Sequence, residues 1–141
     1  MKILDKPSVF AAEMNLEFSK TRTMEELKGF FQKLVLRLFE VSSIDDKLIG
    51  HIKIYSEGKN GSSIRANLTG SIKNLTVITN GNEEESKLRV WINVITFMIK
   101  EEELLKCVKD AIMKFVEDNK EIIRSFELSI SDTHENHGKV S

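Results

Sequence analysis

Residues 10–19 constrain the fold more than any other stretch. Phe10, Ala12, Met14, Leu16 and Phe18 alternate with Ala11, Glu13, Asn15, Glu17 and Ser19. A repeat of two places the apolar side chains on one side of a strand and the rest on the other. Such a strand belongs to a sheet with one face against a core. The chain must therefore supply a second layer to cover that face.

Two segments with helical spacing can supply it. Thr23-Met24-Glu25-Glu26 forms a capping box, in which the threonine oxygen accepts from the Glu26 amide and the Glu26 carboxylate reaches back. Leu27, Phe30, Phe31, Leu34, Leu38 and Val41 then recur along one helical stripe, and Ser42-Ser43 with Asp45-Asp46 end it. Glu101-Glu102-Glu103 opens a second helix with negative charge at the positive end of the dipole. Its stripe is Leu104, Val108, Ala111, Ile112 and Phe115, and Asp118-Asn119 stop it.

Between the helices lies a hairpin. Residues 47–57 and 62–69 read as strands joined through Gly58-Lys59-Asn60-Gly61. A tight Asn60-Gly61 turn would set Tyr55 opposite Ala66 and mix polar with apolar side chains on both faces. A three-residue loop, 59–61, pairs Ile54 with Ala66 and Ile52 with Leu68 on one face. It pairs Tyr55 with Arg65, Lys53 with Asn67 and His51 with Thr69 on the other. A slip of one residue exchanges core and solvent faces, so the three-residue loop is favoured, with Gly61 left-handed. The apolar phase then changes between Ile72 and Leu75, which calls for a bulge or turn near Lys73-Asn74. A short strand over 75–79, a polar acidic loop over 80–86, and a long strand over 87–99 follow. Phe126, Leu128 and Ile130 alternate in a last strand.

The order β-α-β-β-(β)-β-α-β predicts an α+β two-layer sandwich. One mainly antiparallel sheet carries both helices on one face if each strand-helix-strand unit crosses over right-handed. This is a ferredoxin-like variant with an extra strand. Its 141 residues suit one domain over 1–130. The polar segment 131–141 reads as a disordered tail.

Composition narrows the function classes. The formal net charge is −1, so no global basic field draws in nucleic acid or membrane. Cys107 is the single cysteine and can make no disulfide within the chain, which suits a reducing compartment. No apolar run reaches the roughly 18 residues of a membrane span, and the first residues do not resemble a signal peptide. A cytoplasmic location is expected, and the sequons at Asn67 and Asn74 then carry no meaning.

No catalytic residue can be named. GxSxG, Walker, GxGxxG and HExxH patterns are all missing. The Gly58–Gly61 tetrad matches a KH-type GXXG string, but here it joins two strands rather than two helices. His134 and His137 have the spacing of two metal ligands, with Asp132 or Glu135 as further donors; a closed site needs more ligands than these. His51 lacks a visible carboxylate to orient it. Cys107 sits on the apolar stripe of the second helix, as a structural cysteine would.

Two features remain. His51, Lys53, Tyr55, Arg65, Asn67 and Thr69 form a polar, locally basic sheet face with few acidic neighbours, chiefly Glu57. Trp91, Ile95 and Phe97 make the outward side of the long strand apolar, where an open sheet should be polar. The expectation is a non-catalytic homodimeric module without a cofactor. Trp91, Ile95 and Phe97 would form the self-contact. His51, Lys53, Tyr55, Arg65 and Asn67 would meet a protein or nucleic-acid partner. The competing expectation is a binder of, or enzyme acting on, a small anion through His51, Lys53 and Arg65; metal handling by His134 and His137 is the third.

Overall fold

A computed structural model describes residues 3–131. The elements are β1 (Ser8–Arg22), α1 (Met24–Ser42), β2 (Leu48–Gly58), β3 (Ser63–Gly70), β4 (Thr76–Asn80), β5 (Glu85–Thr96), α2 (Glu101–Asp118) and β6 (Ile123–Ile130). A 3-10 turn, Ile72–Asn74, makes the phase change between β3 and β4. The six strands form one sheet in the order β4-β3-β2-β5-β1-β6, every neighbouring pair antiparallel. Each helix joins two strands that flank a third: β1 and β2 lie either side of β5, and β5 and β6 either side of β1.

Both helices pack on one face, giving a two-layer α+β sandwich. The core joins Phe31, Leu34 and Leu38 of α1 and Val108, Ile112 and Phe115 of α2 to Met14, Ile52, Leu68, Val90 and Ile92 of the sheet. Phe30 contacts Phe18, Phe31 and Phe115 edge to face, with centroids 5.0–5.3 Å apart. Such contacts add roughly 0.5–1.5 kcal/mol per pair beyond area burial. The α1 capping box forms as its sequence requires, with the Thr23 hydroxyl accepting from the Glu26 amide at 3.1 Å and Glu26 accepting from the Thr23 amide at 2.9 Å. Asp45 and Asp46, after the helix, both adopt left-handed backbone, a conformation that short polar side chains tolerate best.

The hairpin takes the three-residue loop. Tyr55 pairs with Arg65, Lys53 with Asn67 and His51 with Thr69, and Gly61 has φ +96°. A feature unseen in the sequence fixes this loop. Residues 80–86 read as a polar loop, but Glu85 begins β5 and is fully buried. Its carboxylate accepts from the backbone amides of Asn60 at 2.7 Å and Ser62 at 2.9 Å. These loop amides have no strand partner, and charge-assisted bonds to a carboxylate compensate for its burial. A Cβ at Gly58 would overlap that carboxylate, so glycine is required beside it.

The long strand ends at Thr96 rather than at residue 99. Phe97 therefore lies just past β5, its amide donating to the Ile49 carbonyl at 2.9 Å. At Gly50 (φ +150°) the pairing of β2 and β3 shifts register, and a Cβ there would fall on the Ile95 carbonyl.

Candidate functional site

Strand register sorts the outward side chains into rows that run across the sheet. One row is Ile78, Arg65, Tyr55, Trp91, Glu13 and Ser129, from β4 through β6. The next is Thr76, Asn67, Lys53, Asn93 and Ala11. A third holds Thr69, His51, Ile95 and Val9. Tyr55 thus lies opposite Trp91, and His51 opposite Ile95. The basic patch and the apolar outward side of β5, which the sequence suggests as separate surfaces, form one continuous face.

The first row is a ladder of planar groups. Tyr55 and Trp91 stack with centroids 5.6 Å apart and planes inclined by 29°. The Arg65 guanidinium lies 5.2 Å from the Tyr55 ring centre, and the Arg89 guanidinium 4.9 Å from that of Trp91. Cation–π contacts at exposed positions contribute about 0.5–1 kcal/mol each. The ladder therefore stabilises the sheet and also explains how Trp91 becomes half-buried within its own chain. Arg89 is further bonded to Glu13, and the Tyr55 hydroxyl donates to Glu57 at 2.9 Å, which raises the phenol's pKa. Among the described residues, Lys53 and Arg65 enter no ion pair.

The depressions among the described residues include two on this face. One, of about 420 Å³, is lined by Lys53, Tyr55, Arg65, Asn67, Trp91 and Asn93 with the backbone of β2 at Ile54, and no carboxylate enters its lining. The other, about 590 Å³, lies toward the hairpin-loop end of β2 and β5. Its lining sets Lys59, Lys87 and Arg89 against Glu17, Glu57 and Glu127. Three cations facing three carboxylates leave little net pull on an anion, so the smaller depression is the stronger candidate. Glu13, Glu17 and Glu127 come from β1 and β6, outside the hairpin to which the expectation about Glu57 applied, so the positive character is confined to one end of the wider face.

His51 stands beside that depression. Burial first, and the Lys53 charge second, hold its pKa below the ordinary histidine value, so the neutral ring prevails at neutral pH. Cys107 is half-buried, and its thiol donates to the carbonyls of Val41 at 3.4 Å and Leu104 at 3.5 Å. Burial, followed by the Glu103 charge, pushes the thiol pKa up, the opposite of what a nucleophile needs. No group of three or more His, Cys, Asp or Glu that could hold a metal occurs among the described residues. His134 and His137 lie outside the described residues.

Sequence reasoning puts Arg89 and Asn93 on the outward side of the long strand with Trp91, but misses their place beside the hairpin and the stacking of Trp91 on Tyr55. β2 and β5 are separated in the chain by the β3–β4 excursion, so their register could not be read from a local pattern. The one available signal was parity: Arg89, Trp91 and Asn93 alternate with the buried Leu88, Val90 and Ile92.

No helix among the described residues is long and apolar enough to cross a membrane. Comparison with family models, curated proteins and solved structures finds no match.

Proposed function

We propose that this chain is a non-catalytic, cytoplasmic binding module whose open sheet face receives an anionic macromolecular partner. The observation that carries the reading is the depression formed by Lys53, Arg65, Asn67, Asn93, Tyr55 and Trp91, which among the described residues presents two cations outside any ion pair and two amides, with no carboxylate in its lining. The arrangement is ferredoxin-like in its core strands, β6-β1-β5-β2, with the β3–β4 pair extending the sheet at one edge. That extension enlarges the open face and brings in Arg65 and Asn67.

A shallow site on a sheet favours a polymer over a small metabolite, because small-ligand pockets enclose most of their ligand. The neutral His51, without a carboxylate partner among the described residues, also weighs against proton transfer. Self-association is the second reading. Ile95 and Phe97 are half-buried and Ile49 exposed at one end of the face. A dimer built there would compete with the anion site, since both use the same side of the sheet.

Trp91 is the single tryptophan and Tyr55 the single tyrosine, so intrinsic fluorescence reports on this face alone. Titration with polyanions should change Trp91 emission, and Lys53→Ala with Arg65→Ala should weaken the response about tenfold or more, by loss of charge-assisted contacts. Unchanged affinity in the double variant would refute the reading.

A further inference from the structure

We infer that the polymer received by this face is a single-stranded nucleic acid, which rests on the reading of the face as a polyanion site and goes further by naming the partner. Two parallel rows carry the inference. Arg65, Tyr55 and Trp91 cross β3, β2 and β5 as a stack of planar groups. Asn67, Lys53 and Asn93 cross the same three strands one row along, an ammonium between two amides. Rows two residues apart on a strand are separated by roughly 6–7 Å, about the span of one nucleotide unit.

The chemistry of the two rows differs from what other polyanions need. An acidic peptide or a sulfated sugar asks for donors and positive charge alone. Asn67 and Asn93 offer a donor and an acceptor each, as the edges of bases do. Bases of an unpaired strand also stack on aromatic rings and on guanidinium planes. The inner faces of Tyr55 and Trp91 are occupied by each other, which leaves the ends of the ladder for bases. At one end, Arg65 pairs across the strands with Ile78 of β4, which is 60% exposed. A base lying over Ile78 extends the stack against Arg65, while Lys53 neutralises a backbone phosphate. A duplex hides its base faces and cannot make this contact.

The test is a Trp91 fluorescence titration of the full chain. The probes are a ten-nucleotide single-stranded oligonucleotide, the matching duplex, heparin and polyglutamate, each over a range of salt concentrations. The single strand should bind tightest. Its log affinity should fall linearly with log salt, and Lys53→Ala should make that slope shallower by about 0.7, the value for one phosphate contact. Arg65→Lys keeps the charge but removes the planar stack; it should preserve the slope and still lose about tenfold in affinity. Heparin or polyglutamate binding as tightly as the single strand, with the same dependence on Lys53 and Arg65, would overturn the nucleic-acid inference and leave the polyanion site standing. Equal binding of duplex and single strand would overturn the stacking. Failure of every probe to bind would overturn both.

Discussion

Residues 91 and 92 are neighbours on β5, yet they belong to two different surfaces. Ile92 points into the layer between sheet and helices and is fully buried among other aliphatic side chains. Trp91 points the other way and is half-covered by a tyrosine and an arginine. The inner face is held by exclusion of water, which rewards area and close packing. The outer face is held by stacked rings and guanidinium groups, which contribute less to stability and remain available to a partner. One alternating strand can therefore serve a structural purpose on one side and a binding purpose on the other.

Ile92→Ala should separate the faces most sharply. It should destabilise the protein by about 4 kcal/mol through lost burial and the cavity left behind, measured by chemical denaturation. Glu85→Ala should cost about 3 kcal/mol, because two buried loop amides lose a charged acceptor. Trp91→Ala should cost only about 2 kcal/mol, the combined worth of a ring stack and one cation–π contact on a half-covered side chain. A Trp91 variant as damaging as Ile92→Ala would erase the distinction between the faces.

Ser56 breaks the pattern from the inside. It faces the core between Ile64 and Val90, is 1% exposed, and its hydroxyl has no hydrogen-bond partner among the described residues. Ser56→Ala should leave stability unchanged or raise it by up to about 1 kcal/mol, since an unsatisfied buried hydroxyl is removed. A clear loss of stability would show that the hydroxyl is satisfied.

The smallest effect concerns pH. The folded pKa of His51 lies below its unfolded value of 6.5, with burial the main cause. The unfolded chain therefore binds a proton first as pH falls. The contribution to stability is present in full above that value and declines as pH drops through 6.5 toward the lower folded pKa. His51→Gln should flatten the stability profile in that window. A steeper dependence in the variant would reverse the sign. Glu26, lowered chiefly by the Thr23 backbone bond, acts at more acid pH: its support for the α1 cap is complete above 4.5 and is lost as pH falls through the lowered value.

Much of the fold was legible because its pattern is local. The β1 alternation, the α1 capping box, the hairpin loop and the phase change near Lys73 each rest on residues close in the chain, and each is present. Half of the candidate site was legible for the same reason, since Lys53, Tyr55, Arg65 and Asn67 come from one hairpin. The other half comes from β5, which joins the sheet beside β2 only after the chain has passed through β3 and β4. That pairing turns Trp91 from an isolated apolar outlier into one member of a stack. Glu85 was illegible for a different reason: an acidic residue after Glu83 and Glu84 reads as solvated, and only the geometry of the loop amides calls for its burial.

The most direct measurement is the quenching of Trp91 fluorescence by iodide and by caesium ions at equal ionic strength. An open, locally positive face makes iodide the stronger quencher, and Lys53→Glu with Arg65→Glu reverses the order. Caesium quenching better than iodide in the unaltered protein, or neither ion reaching Trp91, would contradict an open basic face on this sheet.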